Sequence, residues 1–494
     1  MQKIIFTVFV FLFTTTFSQE VTVYSSYLSG GEARYGLKHA FTEEVITSAL
    51  YQSIGEFTDD GFAIAKKDDF WGVITKKGNI VVPFDYDSLI KPSEGLIPFI
   101  IHNKWGYLNF KSEVVITLLY DVAKPFKNGH AQVKNKGKWG LINKKGEQVI
   151  PFEYTWIYPP SEGLIAANKG GKAGFVNFKN EEVIPFTYSW AYPFNEKQAR
   201  VDQKGKTGFI NKDGEIVLPF IYEDAHDFYE GLAAFKKSDK WGVINTKGEE
   251  VIEPTFDYVN RFEDGVSIVS KNLKVGLINK KGEALIPFEF DEVKPKYGLL
   301  RVVKGKDVGM YNHKGKVILP CKYFNIFQLA GEYLLVIKNE KMGVFNRKGK
   351  EVFPLMYENI VDYGDDLINI QEDGMYTLYH LKKKKKLSET YEWISNPNNG
   401  SGLGQVERNG KYGFINKKGK LVIPLMYEDA IGFASGYCAV QVGEKWGYIN
   451  EKNELVIPAI YDWAGDFYNG EAIVINNTKE YTLKLTDNGE ITVK

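Results

Sequence analysis

Cysteine is almost missing from this chain: Cys321 and Cys438 are the only two in 494 residues. They fall at different phases of the repeat described below and more than three of its units apart. No disulfide is expected between them, and each reads as a buried thiol. Stability must therefore come from packing. Net charge is missing too, with 62 basic residues against 62 acidic ones, so nothing favours nucleic acid or an anionic membrane as the main partner. The six histidines (His39, His102, His130, His226, His313 and His380) share no paired spacing on one element. HExxH, CxxC and GxSxG are absent, and no loop carries the alternating acids of a calcium site. These absences predict no metal, no cofactor and no catalytic residue.

Long apolar runs are also missing beyond the N-terminus. The first residues, MQKIIFTVFVFLFTTTFSQE, combine Lys3, an apolar stretch from Ile4 to Phe13 and small residues at Thr16 and Ser18. The pattern predicts a secretory signal over 1–18, cleaved before Gln19. An uncleaved anchor is the alternative. No cysteine follows the run, so a lipid-modified terminus is not expected. The mature chain is expected to be exported, to periplasm, cell surface or medium.

What the chain does have is glycine, 48 residues, and aromatics, 15 % of the total. They recur together. An aromatic-glycine step returns about every 34 residues, at Gly36, Gly72, Gly106, Gly140, Gly174, Gly208, Gly242, Gly276, Gly309, Gly343, Gly413 and Gly447, with Thr377 and Thr482 on the two remaining beats. A fixed period of this size means one supersecondary unit copied many times. Residues 19–494 hold fourteen such units.

The unit from Gly129 to Pro160 reads as three short strands. Ala131-Gln132-Val133 alternates apolar and polar, as a half-buried strand does. Trp139 to Ile142 is apolar on both faces. Gln148-Val149-Ile150 is β-branched, and Pro151 is expected to close it. Between the last two, NKKGE places Gly146 where a left-handed residue follows a type I turn. A tyrosine and an acid follow the proline in many units (Tyr120-Asp121, Tyr427-Glu428, Tyr461-Asp462), then an Asp-Gly, Glu-Gly or Asn-Gly turn. That last stretch is either a fourth strand or a crossover. Such a small meander cannot bury both faces alone, so successive sheets must stack. The bare glycine of each step is expected to let a neighbour approach closely.

The runs KWGLINKKGEQVIPFEY, KWGVINTKGEEVIEPTFDY and KYGFINKKGKLVIPLMYED resemble the WG-containing β-repeat family of bacteria. The resemblance covers essentially the whole mature chain. It implies an all-β array with extracytoplasmic or surface interaction roles, and it supplies no catalytic residues. The sequence departs from the pattern where Ala173, Thr207, Val275, Val308 and Met342 replace the aromatic. Looser packing is expected there.

The expected fold is an all-β tandem array of fourteen antiparallel three- to four-stranded meanders. An open, superhelical, solenoid-like stack is favoured over closure into propeller-like rings. Repeats occupy 19–374 and 405–494. Between them, 375–404 holds a degenerate unit and a loop, NPNNGSGLG, read as a flexible linker and possible hinge. Lys382 to Lys386 reads as a solvated turn. The first and last units depart from the pattern as caps do.

All nine tryptophans fall in two phases. Trp71, Trp105, Trp139, Trp241 and Trp446, with Gly72, Gly106, Gly140, Gly242 and Gly447, mark the structural step. Trp156, Trp190, Trp393 and Trp463 lie two residues after the repeat tyrosine, where other units carry Ser88, Asp224, Glu292, Asn325, Asn359 or Asp429. A position that accepts those residues is expected to be exposed, which makes these four the candidate binding residues for a sugar face or a protein anchor. Packing against a neighbouring unit is the alternative. The expected function is an exported, non-catalytic scaffold for a protein or envelope polysaccharide, with a purely structural spacer as the other reading.

Overall fold

The computed structural model describes residues 21–27, 33–39, 45–58, 60–398, 401–467, 470–485 and 491–493. The expected signal segment, 1–18, and its cleavage point before Gln19 lie outside them. Among the described residues there is no helix. The strands form fourteen separate antiparallel sheets in sequence order, numbered here sheet 1 to sheet 14, the first of three strands and the rest of four. The fold is the expected all-β tandem array. Residues 21–38, 45–305 and 310–317 form one compact unit, and those from 306–309 and 318 onward belong to a second.

Sheet 4 shows the design. Its strands are Val122–Ala123, His130–Asn135, Lys138–Asn143 and Gln148–Tyr154, paired in that order. The stretch after the repeat tyrosine is thus a fourth strand: a two-residue piece that opens the next sheet. Proline does not end a strand, contrary to expectation. Gln148–Tyr154 runs straight through Pro151, because the ladder pairs Trp139 with Tyr154 and Leu141 with Ile150. Gly140 alone faces the three residues from Pro151 to Glu153, and in this bulge on an edge strand no partner requires the missing N–H.

The bulge also corrects the role of the step glycine. A Cβ on Gly140 would lie 2.5 Å from the Ile150 carbonyl oxygen and 2.8 Å from the Phe152 ring. The close neighbour is the glycine's own sheet, not the next one. The same bulge forms in sheet 1, which has no proline: Tyr35 pairs with Tyr51 and Leu37 with Thr47, and the Leu37 N–H donates to the Thr47 hydroxyl at 2.9 Å. Contact between sheets falls instead to the turn glycine. Gly146, with φ of 80°, sits against Ile116 of sheet 3, whose side chain would be 3.2 Å from an added Cβ.

Two sets of acids tie successive sheets at several junctions: the acid after the repeat tyrosine, and the glutamate of the Glu-Gly pairs, which in sequence reads only as a turn residue. Asp121 accepts from Lys104 of sheet 3 at 2.7 Å and from the Gly137 N–H of sheet 4 at 3.0 Å. Asp257 does the same with Lys240 and Leu273. In the Glu-Gly pairs, Glu94 accepts the Gly129 N–H at 3.0 Å and pairs with Lys144 at 3.0 Å. Glu230 repeats this with Gly265 and Lys280. The lysine hydrogen bond, with the backbone N–H, holds each of these four carboxyls below its ordinary range.

A carboxyl whose folded value is lowered contributes stability above its unfolded value and loses it as pH falls through the folded one. Each tie is exposed and weak alone, but they recur along the array. The melting temperature is therefore expected to drop progressively below about pH 4. A melt series in which stability stays flat or rises into acid would rule this out.

The two cysteines are not bridged. Cys438 is buried, and burial pushes its thiol up to about 12. The degenerate eleventh unit still builds a four-stranded sheet, with strands Asn359–Gly364, Leu367–Glu372, Met375–His380 and Lys385–Tyr391. In the segment after it, the Asn398 amide donates to the Tyr363 carbonyl at 3.1 Å, and Gly404 lies inside the strand Leu403–Arg408.

Candidate functional site

Register joins the two tryptophan phases. In sheet 5 Trp156 pairs with Asn168, Asn168 with Ala173, and Ala173 with Tyr188, so the candidate tryptophan and the step residue share one transverse row. In sheet 6 the row is Trp190, Asp202, Thr207 and Tyr222. In sheet 7 it is Asp224, Lys236, Trp241 and Phe256. Where the step has shrunk to Ala173 or Thr207, a tryptophan stands at the head of the row. Packing is therefore not looser at Ala173: Ala173 is fully buried, and Trp156 packs against its core cluster.

Trp156 and Trp190 lie together, with ring centroids 4.6 Å apart and planes inclined by 31°. Tyr158 meets Trp156 edge-on at 5.3 Å, and Tyr192 lies 6.3 Å from Trp190. Trp156 is half-buried and Trp190 is 36 % exposed. The expected exposure of this phase thus holds for Trp190 and only in part for Trp156, the two indoles lying against one another.

Beside them stands a charged group that no motif marked. The Arg200 guanidinium lies 3.5 Å above the Tyr192 ring. Its Nη1 donates to Asp224 at 3.3 Å and its Nε to Asp227 at 3.2 Å. Asp202 accepts from the Thr207 hydroxyl at 2.7 Å, and burial pushes its carboxyl up despite that bond. His226 lies tilted against Trp241 at 4.6 Å and meets Tyr258 edge-on at 5.5 Å. Burial, reinforced by the Arg200 charge, pushes its imidazole down. Aromatic faces and oriented polar groups thus alternate from sheet 5 to sheet 8.

The other two candidates stand apart from this group in sequence and in contacts. Trp393 is 45 % exposed and meets Tyr376 edge-on at 5.5 Å. Trp463, 44 % exposed, covers Gly465, where an added Cβ would be 3.0 Å from the indole. Of the step tryptophans, Trp241 and Trp446 are buried, whereas Trp71, Trp105 and Trp139 are half-buried against their clusters. Among the described residues, no group of three His, Cys, Asp or Glu side chains could hold a metal ion, and no helix is long and apolar enough to cross a membrane.

Strand order and repeat define an all-β tandem-repeat protein. The WG containing repeat matches residues 35–69, 71–105, 105–139, 139–172, 174–206, 208–241, 241–274, 276–306, 309–341, 342–376, 412–446 and 446–479. The chain belongs to the WG-containing repeat family. No curated protein matches it.

Solved structures that the chain matches include a eukaryotic initiation factor, 12 % identical, with a TM-score of 0.29, covering 60 % of this chain and 95 % of that one. Another is the extracellular domain of a putative one-component system from B. thetaiotaomicron, 8 % identical, with a TM-score of 0.23, covering 92 % and 80 %. A third is virginiamycin B lyase from Staphylococcus aureus, 14 % identical, with a TM-score of 0.25, covering 54 % and 98 %. Likenesses this low say nothing about function.

Proposed function

We propose that this protein is an exported, non-catalytic scaffold that binds a protein or polysaccharide of the bacterial envelope through the aromatic row of sheets 5 to 8. The observation that carries this reading is the Trp156–Trp190 pair, rimmed by Tyr158 and Tyr192 and flanked by Arg200 with its two carboxylates. Tryptophan and tyrosine offer large rigid surfaces with a polar tip, and arginine beside them adds directed hydrogen bonds. Export is supported by the basic, apolar and small-residue order of residues 1–18.

A spacer without a ligand is the second reading, and the mutual stacking of the two indoles favours it. The double variant Trp156→Ala/Trp190→Ala separates them. If the row binds, retention on immobilised envelope polysaccharide or envelope protein is expected to weaken about tenfold or more, which corresponds to about 1.4 kcal/mol. Unchanged retention with an unchanged melting temperature would remove the tryptophan row as the binding surface, and no retention of the parent chain would leave the spacer.

A further inference from the structure

The row is filled differently in each successive gap from sheet 5 to sheet 9. Between sheets 5 and 6 the small Ala173 is compensated by the Trp156–Trp190 stack. Between sheets 6 and 7 the space beside Thr207 holds Asp202, Arg200 and Asp224. Between sheets 7 and 8 Trp241 keeps its place and packs on His226 and Tyr258. In sheet 8 the step residue is Val275, and Ile268 occupies the phase that carries Arg200 in sheet 6. Neither reaches far, and no tryptophan from sheet 9 compensates, because Glu292 stands at that phase.

What remains is an open cavity of about 320 Å3. Its apolar wall is Val275, Ile268 and Val293, with Tyr258, 43 % exposed, at its edge. Asn260, Ser270, Glu292 and Lys294 supply the polar groups. Lys294 and Arg301 hold the Glu292 carboxylate in place at 2.8 and 3.2 Å.

We propose that this cavity, formed by the replacement of the repeat tryptophan with Val275, binds one pyranose ring of a neutral polysaccharide. This rests on the polysaccharide branch of the function proposed above. Its volume is at the lower end of the range of small-ligand sites, roughly 300–1,000 Å3. A sugar ring presents C–H faces to Val275 and Tyr258 and hydroxyls to Asn260, Ser270 and Glu292. An indole from a partner protein would fit the apolar wall but would strip water from the amide, the hydroxyl and the carboxylate without replacing their hydrogen bonds. A free anion would meet Asp291 and Glu292.

Val275→Trp restores the residue that five other units carry at this step, and is expected to fill the cavity without disturbing the sheet. Saturation-transfer NMR on the full chain would use cellohexaose, maltohexaose and mannohexaose as probes, with N-acetyltryptophanamide as the aromatic control. At least one hexaose is expected to bind. Val275→Trp should weaken it about tenfold or more, and the control Ile221→Ala, at a side chain 61 % exposed outside the row, should change it less than about twofold. Tyr258→Ala, an exposed position, is expected to weaken it as well and decides the matter if Val275→Trp does not fold.

Binding of no hexaose overturns the proposal, and so does binding that survives both pocket variants. Loss of N-acetyltryptophanamide binding alone in Val275→Trp would assign the cavity to a protein side chain instead. Because the Trp156/Trp190 variant reads the neighbouring row, retention on the envelope can fail or persist independently of this result.

Discussion

Phe209→Ala is expected to destabilise the protein by about 3–5 kcal/mol, the usual cost of emptying a phenylalanine site in a close-packed core. Phe209 is completely buried and packs with Leu218, Tyr222, Ala225, Phe228, Ala233, Phe235 and Ile244, residues of sheets 6 and 7. Its ring centroid lies 4.8 Å from that of Phe228. Each sheet contacts mainly its neighbours, so the damage should be local. Hydrogen exchange is expected to accelerate in sheets 6 and 7 before it does elsewhere. The control is Ile221→Ala, at a side chain 61 % exposed, which should shift stability by no more than about 0.5 kcal/mol. Equal effects at the two positions would mean that the junction between sheets is not where stability resides.

Gly140→Ala and Gly146→Ala should differ although both remove a glycine from one hairpin. At Gly146 the backbone is left-handed, with φ of 80°, and the added methyl meets only the side chain of Ile116 at 3.2 Å. The expected cost is about 1–2 kcal/mol, that of a left-handed alanine. At Gly140 the methyl would lie 2.5 Å from the Ile150 carbonyl oxygen, and backbone cannot step aside without opening the bulge. A cost of about 3 kcal/mol or more is expected there. Chemical denaturation of the two variants measures the difference. If Gly146→Ala proves the worse, the step glycine is not the tighter contact.

The period and the all-β class were legible because turn glycines and β-branched runs are local signals, repeated often enough to correct one another. Gly146 was correctly placed by the same logic. Pro151 was misread because a proline taken alone says only that its N–H is absent. That a bulge opposite Gly140 makes the N–H unnecessary depends on register with Tyr154 and Ile150, which no single strand reveals. The four candidate tryptophans were found by phase, yet the link of Trp156 to Ala173 and of Trp190 to Thr207 lies across two strand pairings. Arg200 was missed because it stands where other units carry Gln132, Ala166 or Ala234; only its partners Asp224 and Asp227 show its role. The cavity beside Val275 arises from what two adjacent sheets both lack.

The kinked last strand and the two-residue first strand have a consequence for solubility. Fourteen sheets would ordinarily display many free edges, each able to template a strand from another molecule. Here one edge of sheet 4 carries a proline and a bulge, and the other is Val122–Ala123, too short to recruit a partner. The same pairing of a bulged last strand and a two-residue first strand recurs in sheets 5 to 8. In a chain of low net charge, which has little electrostatic repulsion to keep its copies apart, backbone geometry in this way blunts both edges of sheets 4 to 8 against edge-to-edge fibre growth.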